Sequence, residues 1–136
     1  MQYLVDSNVL SEGTKQHPIP SVLEWLREHE SELAVNPIIV GELEYGILGL
    51  PAGRRRTRLL SWFSGVVRHL QLVELDADAA HIWATLLATL KRKGRAMPLK
   101  DSLIAASALQ HGLAIATRNT DHYLYSGVKI VNPFGA

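Results

Sequence analysis

Apolar residues recur along the chain in two rhythms. Short runs without helical period, at Tyr3-Leu4-Val5, Leu33-Ala34-Val35 and 113–116, read as buried strands. An alternating stretch at 71–75 and a short run at 129–131 complete a set of about five. Between them the apolar positions repeat at helical spacing, which predicts helices over 10–16, 21–30, 38–48, 54–68, 77–93 and 100–111. The clearest is 77–93, where Ala79, Trp83, Leu86, Leu87 and Leu90 share one face behind an Asp76 cap. Ser21 is the expected cap of the 21–30 helix, and Gly112 the stop of the 100–111 helix. Strands alternating with helices in this way imply βαβ units, hence an α/β fold on a mostly parallel sheet.

Length and composition narrow this picture. A chain of 136 residues fits one domain with a sizeable core. Without cysteine it has neither disulfides nor a thiolate zinc site. No apolar run approaches the roughly 20 residues of a membrane span, and Met1 leads directly into a strand, so the expected location is the cytoplasm, with no membrane partner. A net charge of +1 hides an asymmetry. Residues 1–50 hold eight acids against Lys15 and Arg27, whereas residues 51–136 hold twelve basic residues against five acids. Acidic positions beside basic clusters at 54–58 and 91–95 suit a metal-dependent enzyme acting on a polyanion.

Four places set acids or amides at a strand end or a helix start: Asp6, Glu42, Asp101, and Asn119 with Asp121. Such positions can meet in one crevice at the carboxyl edge of a parallel sheet. Carboxylates gathered there repel unless a cation compensates, and an all-oxygen set suits Mg²⁺ or Mn²⁺. Each also has a plainer reading: Asp6 as a helix cap, Glu42 as a solvated helix position, Asp101 as a first-turn acid complementing the helix dipole. Gly46 leaves space one turn after Glu42, and Lys100 reads as surface. Arginines at 54–58 serve either as a solvated helix start or as contacts to a nucleic-acid backbone. The six histidines lack ligand spacing and are assigned to no metal, and the three tryptophans read as core or interface residues.

Four blocks carry a family likeness: Leu4-Val5-Asp6-Ser7-Asn8-Val9-Leu10-Ser11-Glu12, Val40-Gly41-Glu42-Leu43-Glu44-Tyr45-Gly46, Pro98-Leu99-Lys100-Asp101-Ser102-Leu103-Ile104-Ala105-Ala106 and Ala116-Thr117-Arg118-Asn119. In this order they resemble the signature blocks of PIN-domain ribonucleases, above all the VapC toxins of bacterial toxin–antitoxin pairs, including the FitB-like branch. The resemblance implies a three-layer α/β/α fold, usually homodimeric. It also implies an Mg²⁺- or Mn²⁺-dependent endoribonuclease whose common target is transfer RNA, silenced by a cognate VapB-like antitoxin, in some cases within a larger hetero-oligomer. Asp6, Glu42 and Asp101 match the family's three best-kept acids. The chain departs at the fourth position, where many relatives carry an acid and this one has Asn119; Asp121 is the nearby substitute, and His122 stands where others have an acid.

On this reading Asp6, Asp101 and Glu42 hold the metal, with Asp121 as a weak fourth ligand, and a bound water attacks the phosphodiester in line. Thr117 and Asn119 position ligands or waters, Ser7 supports the shell, and Arg118, Arg54 and Arg55 contact phosphate. Two other readings stand beside it. The strand ending in Asp6 also resembles haloacid-dehalogenase phosphohydrolases, with Asp6 as nucleophile, although Asn8 replaces that family's second aspartate. A PIN module that only binds RNA or protein would tolerate the altered fourth position.

Overall fold

A computed structural model describes residues 1–135. Five strands, β1 (Tyr3–Val5), β2 (Leu33–Val35), β3 (Gln71–Leu72), β4 (Ala114–Ala116) and β5 (Ile130–Val131), form one parallel sheet in the order β3-β2-β1-β4-β5. The helices are α1 (Ser7–Glu12), α2 (Pro20–Glu28), α3 (Pro37–Leu48), α4 (Arg54–Gly65), α5 (Ala77–Arg92) and α6 (Leu99–His111). Helices cover both faces, because the chain runs outward from β1 through β2 to β3 and then returns past β1 to β4, and parallel crossovers of one hand then fall on opposite faces. The result is the three-layer α/β/α arrangement expected from the sequence.

β1 lies at the centre, and Leu4 and Val5 are fully buried there, as continuous apolar strands demand. The connections leaving β1 and β4 run to opposite sides. That makes the gap beyond their carboxyl ends the switch point of the sheet, where open α/β folds bind ligands. Asp6 follows β1 and Thr117 follows β4, so the sequence delivers both to this gap.

Helix boundaries differ from expectation where local hydrogen bonds decide them. α1 begins three residues before the expected 10–16 span because Asp6 caps it, its Oδ1 accepting the Ser7 N–H at 2.8 Å. α2 starts at Pro20, and Ser21, the expected cap, instead donates to the carbonyl of Pro133 at 2.9 Å. α4 stops at Gly65 rather than continuing to Arg68: glycine and the β-branched Val66 and Val67 give way to a 3₁₀ turn at Val67–His69. β3 covers only Gln71–Leu72 of the expected 71–75. It is an edge strand, and one further bond, Val73 N–H to Val35 O at 2.8 Å, precedes the turn to the Asp76 cap.

Two polar contacts set the helices that border the gap. Asn36 is fully buried; its Oδ1 caps α3 through the Ile39 N–H at 2.9 Å, and its Nδ2 donates to Ser107 Oγ on α6 at 3.0 Å. α6 carries the buried small residues Ala105, Ala106, Ser107 and Ala108, which allow close packing. Its first turn is tied to α5 by Trp83 Nε1 donating to Ser102 Oγ at 2.9 Å. Gly112 ends α6 in the left-handed region at φ 64°, turning the chain into β4. Replacing Asn36 by Ala removes the cap and leaves the Ser107 hydroxyl short of a partner, for an expected loss of about 2 kcal/mol of stability in urea unfolding.

Candidate active site

The acids singled out by sequence come from three separate elements. Asp6 lies at the β1–α1 junction and is 3% exposed; Glu42 lies midway along α3; Asp101 sits in the first turn of α6. All three enter one hydrogen-bonded network. Ser7 N–H donates to Asp6 Oδ1, and the Ser7 hydroxyl donates to Glu42 Oε1. Asp6 Oδ2 accepts from Thr117 Oγ1 at 2.8 Å, and the Tyr123 hydroxyl lies 3.4 Å from that oxygen and 3.2 Å from Asp101 Oδ1. His122 Nδ1 donates to Asp101 Oδ2 at 2.7 Å, and Lys100 Nζ meets Glu42 Oε2 at 2.5 Å.

Electrostatics follow from these neighbours. Burial raises the Asp6 pKa; the Thr117 hydroxyl and Ser7 N–H pull it back, while the charges of Glu42 and Asp101 raise it further. Burial also acts to raise Glu42, but hydrogen bonds from Lys100 and Ser7 outweigh it and hold the carboxyl below its ordinary value. Lys100 is raised in turn, mainly by its bond to Glu42. Tyr123 is completely buried, which together with Asp6 and Asp101 pushes its hydroxyl far above the ordinary range, so it remains a proton donor at any working pH.

Several of these partners escape a reading of the sequence. Lys100, taken there as surface, bridges α6 to α3 by pairing with Glu42. Tyr123 belongs to a 3₁₀ turn, Thr120–Tyr123, whose lack of period gives no signal that it folds over the acids; the sequence marks His122 on the same turn only as standing where relatives carry an acid, not as a partner of Asp101. Glu12 is also buried: it pairs with Lys15 at 2.9 Å and accepts the Ile19 N–H at 2.9 Å, closing the loop between α1 and α2.

The remaining candidates lie around this network. Thr117 is in its centre, while Asn119 is exposed and contributes a backbone N–H to Thr117 Oγ1 at 3.1 Å. Asp121 is exposed on the same turn, and it is His122 beside it that bonds Asp101. Arg118 stacks its guanidinium 4.3 Å from the centre of the Phe134 ring at the rim, and its backbone N–H donates to Asn8 Oδ1. Arg54 and Arg55 are exposed at the start of α4. Trp25 joins an aromatic cluster with Tyr3 and His29, as a core reading requires, whereas Trp62 packs against the core and also lines a cavity that reaches Glu42.

As placed, no three Asp, Glu or His side chains among the described residues stand ready to hold one ion. Lys100, His122 and Tyr123 occupy the acids instead. By donor type the set still fits a hard divalent cation, being three carboxylates with serine and threonine hydroxyls beside them and no sulfur. Tyr123→Phe deletes the bridge between Asp6 and Asp101 and is expected to cost about 1–2 kcal/mol in thermal unfolding with chelator present.

A sheet with its switch point between β1 and β4, loaded with acids from three elements, defines a class, and comparison with known proteins gives the same one. The sequence profile of the PIN domain matches residues 3–128, and the chain belongs to that family. It is 36% identical over 135 residues to VapC ribonuclease Y4jK of Sinorhizobium fredii, covering 96% of each chain. It is 31% identical over 140 residues to toxin FitB of Neisseria gonorrhoeae, covering 96% of this chain and 97% of FitB. A solved structure of FitAB bound to a DNA fragment superimposes with a TM-score of 0.92 at 27% identity, covering 99% of this chain and 97% of the other. Membership in the PIN family sets aside the haloacid-dehalogenase reading of Asp6. No helix among the described residues is long and apolar enough to cross a membrane.

Proposed function

We propose that this chain is a divalent-metal-dependent endoribonuclease and the toxin half of a toxin–antitoxin pair. The observation that carries the proposal is the network joining Asp6, Glu42 and Asp101 at the switch point of a PIN fold. Relatives that bear the names ribonuclease and toxin support it. Asp6, Asp101 and Glu42 would hold Mg²⁺, or Mn²⁺ in its place, with Asp121 a weak further ligand, and the ion when bound supplies a polarised phosphate and a more acidic water.

The chain's own groups do the positioning. Thr117 and the Ser7 N–H fix the Asp6 carboxylate, the Ser7 hydroxyl fixes Glu42, and Tyr123 holds Asp101 in register with Asp6. Asn119 fixes Thr117 through its backbone N–H. Arg118, Arg54 and Arg55 lie outside the network, where they would meet RNA phosphates. Transfer RNA is the substrate class that the resemblance to VapC toxins favours. A VapB-like antitoxin is the proposed partner, in line with the FitAB likeness, and a cytoplasmic homodimer able to join a larger assembly with it is the proposed form.

Purified chain freed of bound protein is expected to cleave transfer RNA on addition of Mg²⁺ or Mn²⁺ and to stop when a chelator is added. Cleavage that persists in chelator would overturn the metal-dependent reading. RNA retained without cleavage under either ion would select the alternative of a binding-only PIN module, which the exposed Asn119 at the fourth position favours.

A further inference from the structure

A cavity of about 240 Å³ opens directly beside Ser7 and Glu42 and runs between α1, α3 and α4. Leu43, Ile47 and Trp62 give it an apolar wall, and Ser11 and Thr14 add hydroxyls. A second cavity of about 260 Å³ shares Thr14, Lys15, Arg55 and Leu59 with it and adds Arg58, so the groove continues outward onto a cationic rim.

That rim has no internal explanation. Arg54, Arg55, Arg56 and Arg58 crowd the first turns of α4, where the helix dipole disfavours cations, and no side chain caps the helix. Among the described residues no carboxylate lies within 4.0 Å of any of them. Lys15, by contrast, is already paired with Glu12. The groove therefore joins three features: Glu42 at the edge of the acidic network, a partly apolar slot, and unpaired arginines. An RNA strand offers matching groups: a scissile phosphate at the acids and, on the ribose beside it, a flat base and the link to the next phosphate.

We infer that this groove is the subsite for the nucleotide next to the scissile phosphate, with its base against Trp62 and Ile47 and its outer phosphate on Arg55 and Arg58. The inference rests on the ribonuclease reading above and assigns it a substrate-recognition site. Gly46 provides a probe. It lies one turn after Glu42 on α3, it lines the cavity, and a Cβ placed on it meets nothing within 4 Å. A leucine there extends toward the N-terminal end of the helix and into the slot, and glycine replacement favours the helix itself.

The test uses the full chain, a labelled short single-stranded RNA and fluorescence anisotropy in chelator, so that the strand binds without being cut. Wild type is expected to lose affinity about tenfold when one particular nucleotide of the RNA is made abasic, the size expected of a stacked base. Gly46→Leu should bind the intact RNA about tenfold more weakly and be indifferent to the abasic change, while melting no lower than wild type. Gly46→Ala, one methyl larger than glycine, should fall between. Arg55→Gln with Arg58→Gln should flatten the dependence of log affinity on log salt by about 0.7 for each phosphate the arginines neutralise.

Wild-type binding insensitive to every abasic position, or Gly46→Leu binding like wild type, overturns the subsite. So does a Gly46→Leu protein that keeps RNA and instead sheds a co-purifying protein partner, which would assign the groove to a polypeptide. Cleavage of RNA together with abasic-insensitive binding would sink the subsite alone. Abasic-sensitive binding without cleavage under Mg²⁺ or Mn²⁺ would sink the nuclease reading and leave the groove a nucleotide-binding site with no scissile phosphate beside it.

Discussion

Asp6→Asn is expected to slow RNA cleavage about a thousandfold while removing the loss of stability that the metal-free protein suffers as pH rises from acid to neutral. The first effect follows from its place at the centre of the network: loss of a carboxylate that neutralises a bound cation forfeits several kcal/mol of transition-state stabilisation. The second follows from its burial. The folded state raises the pKa of Asp6 above the ordinary value of 3.8, so the unfolded chain gives up this proton more readily. Below pH 3.8 the carboxyl is protonated in both states and costs nothing. As pH rises past that value toward the folded pKa, stability drains away, and above it the full cost is present. Asparagine never ionises, so this decline should be absent from the variant, whatever its amide loses by accepting fewer of the donors that face Asp6. Thermal unfolding in chelator across pH checks this, and a variant whose melting temperature falls as steeply with pH as that of wild type would contradict it. Added Mg²⁺ should stabilise wild type and leave the variant unmoved, because only a state that binds the ion gains from it.

Asp101→Asn is expected to reduce cleavage by a similar factor, about a thousandfold, for a related but separable reason. Asp101 meets Asp6 only through the Tyr123 hydroxyl and is steadied on its other oxygen by His122. An amide can keep one of these hydrogen bonds but not the charge. If both aspartates serve one ion, the double variant should be no slower than either single one, since groups that act as a unit are far from additive. Single-turnover cleavage by the three variants measures this. Losses that multiply to about a millionfold would mean that the two carboxylates work independently, and Mn²⁺ binding by the same proteins would locate the difference.

The sequence made the central strand legible because Leu4-Val5 runs into an acid with no polar interruption, and it made α6 legible because its small residues cluster on a helix closed by Gly112. Strand order was beyond its reach. Which strands become neighbours depends on the direction of each crossover, not on any local pattern. At the site, Asp6, Glu42 and Asp101 could be picked out because each marks an element boundary or borders an apolar face. Lys100 could not, since its reach to Glu42 spans two helices brought together by Asn36 and Ser107. Tyr123 was hidden for a different reason: an aromatic residue in an irregular segment carries no period to say which way it faces, and here it is fully buried. Buried Glu12 runs against the usual exposure of glutamate and makes sense only once Lys15 and the Ile19 N–H are seen around it.

β1 and β4 each have a hydrogen-bonded neighbour on both edges, whereas Asn119, Asp121 and His122 lie at the start of and along a 3₁₀ turn outside the sheet. The two halves of the crevice thus have unequal footing. The residues planted at the strand ends cannot be displaced without tearing the ladder, and those on the turn can be exchanged at little cost to it. Exchanging the side chains at 119, 121 or 122 should therefore leave the sheet intact, with Asp6 still where the sheet puts it.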